Sequence, residues 1–316
     1  MGSSWRAISV GIQARIGRSK VGNVIHEPFE IEGWMSTFNL DRLGEEARGL
    51  PSSMQPEAGL ISGPYDIAVL EQQRAEAFAH SLGVTHVPTD VFIWGIGDSI
   101  RREVTKIGGL PYREKRKPWP KGASGLPLTF VGQISFVDSY DLTPSLPGDI
   151  LLIFAETHEK RPGEYEELLD DGPFFEWTTL DVTPVVTQVD IPEIQAEIMP
   201  CYGAIYRTWD YPEIDAFAYP WIAEHIPPIV EATKIGGICP WYSEWLAAGE
   251  VLPGTFLCSL SSVAPEIHKP FPFINKEQPI TWEAWQKSHP LMIGDVGILE
   301  VFLAVDGTLR WATHTH

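Results

Sequence analysis

Alternating and continuous apolar runs predict strands in several parts of the chain. From Leu128 to Phe136, every second position is apolar or glycine, which is typical of a strand with one buried face. Ile150 to Phe154 and Ile298 to Leu303 are almost continuously apolar and predict strands that are mostly or wholly buried. The dipeptide Asp306-Gly307 follows the second run and predicts a hairpin turn. Strands and helices do not alternate along the chain, which argues against a doubly wound nucleotide-binding fold.

Three segments predict helices. Apolar residues recur at near-helical spacing from Asp66 to Leu82, and this pattern stops at Gly83. Ile191 to Met199 begins with a capping sequence that places a proline in the first turn, and Thr281 is a candidate cap for a short third helix. Together with the strands, these segments predict an α+β fold of mainly antiparallel sheets with a few helices.

Three sequence blocks recur in the same order along the chain. KIGG at Lys106 returns at Lys234, LTFVGQISF returns as GTFLCSLSS, and DILLIF returns as GILEVF, with offsets of 128, 126 and 148 residues. The larger last offset indicates an insertion between Ser262 and Gly294. The order predicts an internal duplication that forms two pseudo-symmetric halves of one compact body. The predicted division is an N-terminal segment 1–90 that includes one helix and packs on the body, a first half 91–190 and a second half 191–316.

The chain is strongly acidic, with 42 acidic and 23 basic residues and a net charge of −19. An acidic excess keeps a protein soluble, repels nucleic acid and anionic membranes, and attracts basic partners. Residues 101–121 carry eight bases and two acids, whereas residues 156–176 carry eight acids and two bases. Two interpretations stay open: the segments are solvated loops that pair as neighbours, or the acidic segment docks a basic partner. The acids assigned to such docking are Glu164, Glu166, Glu167, Asp170 and Asp171.

The cysteines and the hydropathy predict a cytoplasmic protein. Cys201, Cys239 and Cys258 fit no zinc or CxxC spacing, so they are expected to be free, buried thiols in a reducing compartment. No apolar stretch is long enough for a transmembrane helix, and the first residues lack the apolar region of a secretory signal.

The segment from Lys106 to Phe136 resembles the hallmark of the YwqG-like bacterial family, a domain of unknown function. A glycine pair, a Trp-Pro dipeptide and a glutamine within a strand carry this resemblance, and a second glycine pair and a Gly-Asp pair continue it. The matching residues are Gly108, Gly109, Pro111, Trp119, Pro120, Gln133, Gly236, Gly237, Pro240, Gly294 and Asp295. The sequence departs from the family at Ser259, where a glutamine equivalent to Gln133 is expected.

Structural roles are the main expectation for these family residues. The glycine pairs suit turns with positive φ. Trp119 is expected to pack at the end of a sheet rather than to form a stacking wall. Gln133 is expected to bond to backbone across the sheet rather than to point into a cleft.

No motif in the chain predicts a reaction, a cofactor or a metal site. The sequence lacks a P-loop, a GxSxG nucleophile elbow and an HExxH pair. The family resemblance brings no catalytic residues, and its similarity to immunity proteins implies a binding role. We therefore expect a non-enzymatic intracellular protein that binds a basic protein, as an immunity protein neutralising a toxin does, and that binds neither nucleic acid nor membrane. Trp282 and Trp285, in the insertion, are the candidate surface aromatics. The alternative is an enzyme or small-ligand-binding protein with a cleft between the two halves.

Overall fold

The structure is a computed structural model. It describes residues 75–156, 172–193, 198–212, 229–242, 245, 248–249, 251–263, 289–294 and 297–314. All of them belong to the second of the two units into which the chain divides, residues 51–316.

The described residues form one antiparallel sheet of ten strands. The strands are β1 (Val87–Ile96), β2 (Lys106–Ile107), β3 (Thr129–Ser135), β4 (Ile150–Ala155), β5 (Phe174–Thr178), β6 (Cys201–Asp210), β7 (Lys234–Gly236), β8 (Thr255–Ser261), β9 (Ile298–Leu303) and β10 (Leu309–His314). Their order across the sheet is β10-β9-β8-β7-β1-β6-β2-β3-β4-β5. Helix α1 (75–81) and two single-turn 3₁₀ helices, Tyr140–Leu142 and Gln188–Asp190, accompany the sheet. The prediction of an α+β fold was therefore wrong, because the described part of the chain is mainly β.

The sheet is organised around the long central pair of β1 and β6. Ten residues of each strand pair in an unbroken register, from Val87 opposite Asp210 to Ile96 opposite Cys201. From this centre, β2 to β5 extend on one side and β7 to β10 on the other. The repeated sequence blocks occupy matching places on the two sides. Whether this match reflects a duplication stays a prediction.

The two outer ends of the sheet share one hydrophobic core. Buried residues of β3 and β4, such as Val131 and Ile153, belong to the same cluster as Leu299 and Val301 of β9. The sheet therefore curls into a nearly closed barrel around this cluster. Gly172, just before β5, lies so close to β10 that a Cβ there would be 2.9 Å from the Trp311 ring.

Strand β3 is buried on both faces, which corrects the prediction of a single buried face. All seven of its residues are buried. A bulge between Phe130 and Gly132 interrupts the pairing with β4. Phe130 packs in a separate cluster and Val131 in the main core. Because the bulge shifts the alternation by one residue, Ile134 and Phe136 lie on the side of Val131 rather than on the side of Phe130. Strand β8 carries the corresponding bulge between Phe256 and Cys258.

The remaining local predictions had mixed outcomes. Helix α1 ends before Gly83, whose φ of 69° supports the predicted stop. The β9–β10 hairpin turns at Asp306-Gly307 as predicted. The predicted helix 191–199 was wrong at both described ends, since 191–193 and 198–199 are not helical. The capping box instead joins Thr187 and Asp190 around a 3₁₀ turn. The predicted helix at Thr281 lies outside the described residues.

Candidate functional site

The first glycine turn wraps around a carboxylate. Gly108 and Gly109 follow β2 with φ of 58° and 66°, a left-handed conformation that favours glycine. The turn brings the Lys106 ammonium to 2.9 Å from Asp98 Oδ1 and the Leu110 N–H to 3.1 Å from Asp98 Oδ2. A Cβ at position 109 would lie 2.7 Å from the same oxygen. We call this group the first glycine-turn site.

The second glycine turn repeats this arrangement with deeper burial. Lys234 Nζ lies 2.8 Å from Asp210 Oδ2, which also accepts the Ile238 N–H at 2.7 Å, while Oδ1 accepts the Val230 N–H at 2.8 Å. A Cβ at Gly237 would lie 2.2 Å from Asp210 Oδ2. Both side chains of this ion pair are 0% exposed, whereas the Asp98 side chain of the first site is 30% exposed. We call this group the second glycine-turn site.

Both lysines are held as structural cations. Burial lowers the pKa of Lys234 and of Lys106, and in each case the paired carboxylate acts in the opposite direction. Lowered lysine pKa values are also found at reactive amines. Here, however, each ammonium group is enclosed and bonded to its carboxylate, so it is not presented to a ligand.

Gln133 completes the first site from strand β3, as predicted. Its amide nitrogen donates to the Arg102 and Val104 carbonyls at 2.8 and 2.7 Å. Its amide oxygen accepts the Tyr112 N–H at 2.8 Å. The fully buried side chain thus bonds to backbone across the sheet and does not line a cleft.

Glu300 takes over part of this role in the second site. At the place of Gln133, Ser259 donates one hydrogen bond to the Ala232 carbonyl at 2.7 Å. The N–H of Trp241 is instead accepted by Glu300 on the neighbouring strand β9, at 2.9 Å. The expected glutamine is therefore replaced by two residues on different strands.

Glu300 is the main residue that sequence reasoning missed. It is fully buried, and its second oxygen lies 3.2 Å from both Trp245 Nε1 and His314 Nε2. His314 stacks on the Trp241 ring, with centroids 4.9 Å apart. The third repeated block contained the signal, because it places Glu300 where the first copy has the apolar Leu152.

An apolar cavity of about 490 Å³ adjoins the second glycine turn. Its apolar and aromatic wall is formed by Pro212, Ile238, Cys239, Tyr242, Leu252 and Phe256. Burial raises the pKa of the Cys239 thiol to about 12, so this sulfur is not a nucleophile at neutral pH. All lining residues fall within the predicted second half of the chain, and the cavity therefore does not correspond to the predicted cleft between the halves.

Most basic side chains of the segment 101–121 form ion pairs or hydrogen bonds with other residues of the protein. Arg113 and Lys117 both pair with Glu176, at 2.9 and 3.3 Å. Because Glu176 belongs to the acidic segment, the interpretation that the two segments pair as neighbours is confirmed at this residue. Lys115 pairs with Asp190 at 2.8 Å, and Arg102 donates to two backbone carbonyls. The run of bases is thus largely a set of internal contacts.

The other described family residues have packing and turn roles. Trp119 packs edge-on against Phe154, with centroids 5.6 Å apart, and donates from Nε1 to the Leu128 carbonyl at 2.8 Å. Trp119 therefore packs on strand β4 of the sheet. Pro111, Pro120 and Pro240 are buried, and Gly294 has a φ of 53°.

Several predicted site residues lie outside the described residues and stay predictions. They are Glu164, Glu166, Glu167, Asp170, Asp171, Trp282, Trp285 and Asp295.

The described residues add three findings on chemistry and location. All three cysteines are buried and free, as predicted. Among the described ranges, no group of three or more His, Cys, Asp or Glu side chains is arranged to hold a metal ion. No helix in the part of the chain that the structure covers is long and apolar enough to cross a membrane.

Comparison with known proteins adds one family assignment for part of the chain. No curated protein matches the sequence. Residues 105–177, which contain the first glycine turn, Gln133, strands β2 to β4 and all but the last residue of β5, match the family described as Domain of unknown function (DUF1963).

Proposed function

We propose that this protein is a non-enzymatic binding protein that recognises a basic protein, as an immunity protein neutralising a basic toxin such as a nuclease does. The proposal includes membership of the YwqG-like family, some of whose members resemble immunity proteins. The observation that carries it is the distribution of charge. The chain has a net charge of −19, and the cations of its one basic segment are largely held by internal partners.

The internal ion pairs decide which charges a partner meets. Arg113 and Lys117 share the carboxylate of Glu176, which cancels one of their two positive charges at close range. The excess of carboxylates elsewhere sets the sign of the long-range field. Such a field accelerates association with a basic protein and slows association with nucleic acid.

The acidic segment 156–176 is the docking element in this proposal. Glu176 has an internal role, and the carboxylates assigned to the partner are the five at positions 164, 166, 167, 170 and 171. They fall within 8 consecutive positions, so their fields add over a small area.

The test begins with capture of partners from lysate of the source organism, followed by association kinetics with the purified partner. The salt concentration is raised from about 0.1 M to about 1 M, which shortens the screening length from about 10 Å to about 3 Å. One basic protein is expected to be retained, and its association rate constant should fall steeply with salt.

Two matched variants separate docking from net charge, because each removes five negative charges. The docking variant carries E164Q, E166Q, E167Q, D170N and D171N. The control carries E27Q, E30Q, E32Q, E45Q and E46Q, all outside the segment. The docking variant is expected to associate about tenfold more slowly than the control. Equal rates for the two variants, or capture of no basic protein, would contradict the proposal.

A small-ligand-binding protein is the second candidate, and the cavity beside the second glycine turn favours it. Its volume of about 490 Å³ and its mainly apolar wall are typical of small-molecule sites. A fragment screen by thermal shift tests this function. Hits should lose their effect in a Phe256→Ala variant and keep it in a Phe174→Ala variant, since Phe174 lies on β5, away from the cavity. Hits that are insensitive to Phe256→Ala would exclude this cavity as their site.

A further inference from the structure

Two imidazoles meet where helix α1 packs on the end of strand β6. His80 lies in the last turn of α1, and His86 lies in the connection that leads into β1. Their ring centroids are 4.2 Å apart, with an angle of 31° between the rings. Both rings stand edge-on to Trp209, at centroid distances of 5.3 and 4.8 Å.

His80 connects the helix to the sheet through a polar contact. Its Nε2 lies 3.1 Å from the hydroxyl oxygen of Tyr211, a side chain that is fully buried. Ala75 and Ala79 of α1 pack on the same tyrosine and form a small cluster separate from the main core. A few apolar contacts and the hydrogen bond of a titratable ring therefore help to hold the helix, together with a hydrogen bond between Glu76 and the Thr208 hydroxyl.

Protonation opposes the arrangement of the two rings. If both imidazoles are charged, two positive charges lie at van der Waals distance beside aromatic side chains. The pKa of His80 is lowered first by burial and then by the charge of His86. Among the described residues, the titratable groups near this contact include Glu76 on α1, whose carboxylate bonds to the Thr208 hydroxyl. They also include Tyr211, whose pKa is raised by burial first, by Glu76 next and then by Tyr206.

We propose that His80 and His86 form an acid-sensitive latch that holds helix α1 on strand β6 when neutral and releases it when both are protonated. The direction follows from linkage. The docked state binds the His80 proton more weakly than the released state does, so falling pH favours release. Docking is complete above the ordinary histidine pKa of about 6.5 and weakens below it. If the pKa of His80 differs by about 1 between the docked and the released state, the equilibrium constant for release of the helix changes by about tenfold.

Hydrogen exchange of the full chain tests the latch. Exchange is followed by mass spectrometry from about pH 5 to about pH 8 and corrected for the intrinsic pH dependence of amide exchange. Amides of residues 75–82 are expected to open more as the pH falls, whereas amides of the central strands β1 and β6 should not change. The titration of the two imidazoles, followed by NMR, gives an independent readout of the His80 pKa.

Three substitutions make the test specific. His80→Gln places an amide where Nε2 lies and keeps a partner for Tyr211 without titrating, so the pH dependence of opening should disappear. His86→Gln removes the second charge and should weaken the pH dependence and raise the His80 pKa. His158→Gln is the matched control elsewhere in the chain and should have no effect. The proposal would be overturned if the opening of residues 75–82, after correction for intrinsic amide exchange, were independent of pH. It would also be overturned if this opening kept its full pH dependence in His80→Gln.

Discussion

Replacing Asp210 by asparagine is the most informative perturbation of the fold. The carboxylate accepts two backbone N–H groups and the Lys234 ammonium, at distances of 2.7 to 2.8 Å. Asparagine keeps the shape of the side chain but replaces one oxygen by a donor. The substitution therefore removes a negative charge. It also places an NH2 group where one carboxylate oxygen accepted a hydrogen bond, so that two donors face each other, while Lys234 stays enclosed.

The expected loss is large because Lys234 and Asp210 are both fully buried. Leaving one member of a buried ion pair without its partner costs about 3–5 kcal/mol. Domains of ordinary stability unfold with about 5–15 kcal/mol, so the variant loses a major share of its free energy of unfolding. The matched change at the first site, Asp98→Asn, should cost only about 1–2 kcal/mol, because the Asp98 side chain is 30% exposed and solvent screens its charge.

Urea denaturation at neutral pH measures both losses, with far-UV circular dichroism and tryptophan fluorescence as parallel probes. Coincident transitions are required before the midpoints are converted to free energies. The double variant Asp210→Asn/Lys234→Met should regain part of the loss, because neither side chain is then charged. Equal losses at positions 98 and 210, or a double variant weaker than Asp210→Asn alone, would refute the argument that burial sets the magnitude.

Three further predictions follow from the described contacts. Gly237→Ala should destabilise the fold by more than about 2 kcal/mol and Gly307→Ala by about 1–2 kcal/mol, since both have positive φ but only position 237 lacks room for a Cβ; similar midpoints in urea would contradict this. Gln133→Leu should cost about 3 kcal/mol and Ser259→Ala about 1 kcal/mol, because the glutamine forms three buried hydrogen bonds and the serine one; the same denaturation series measures both. Hydrogen bonds from the Lys115 and Thr187 side chains lower the pKa of Asp190 to about 2, so an NMR titration of its carboxyl carbon should have its midpoint there, and a midpoint near 4 would mean that these contacts do not form in solution.

Local sequence patterns predicted individual strands better than the overall class. The continuous apolar runs at Ile150 and Ile298 became β4 and β9 as predicted, because burial on both faces requires such runs. The sequence wrongly predicted a helix from Ile191. The observed capping box joins Thr187 and Asp190 and belongs to a 3₁₀ turn that precedes Ile191. A cap signal marks the start of a turn but does not determine its length.

Parts of the glycine-turn sites could be predicted from the sequence, and parts could not. The glycine turns and the backbone role of Gln133 followed from residue type and local pattern. The carboxylate partners did not, since Asp210 lies 24 residues before Lys234 and at the end of another strand. Only the sheet order brings them together. The bulge in β3 also left no clear sequence signal, although it decides which face Ile134 and Phe136 occupy.

Charge provides the remaining link between the fold and the proposed function. An ion pair within the protein screens a base by an acid and does not change the net charge. In the described part of the chain these pairs involve most cations of the basic segment, including Lys106, Arg113, Lys115 and Lys117. A partner therefore meets the carboxylates that are left over. The excess of carboxylates over cations depends on the sequence alone, whereas the positions of the cations depend on the fold. Weakening an internal ion pair should therefore destabilise the protein without weakening its attraction for a basic partner. Neutralising surface carboxylates should do the opposite, and measuring stability and association rate on the same variants separates the two effects.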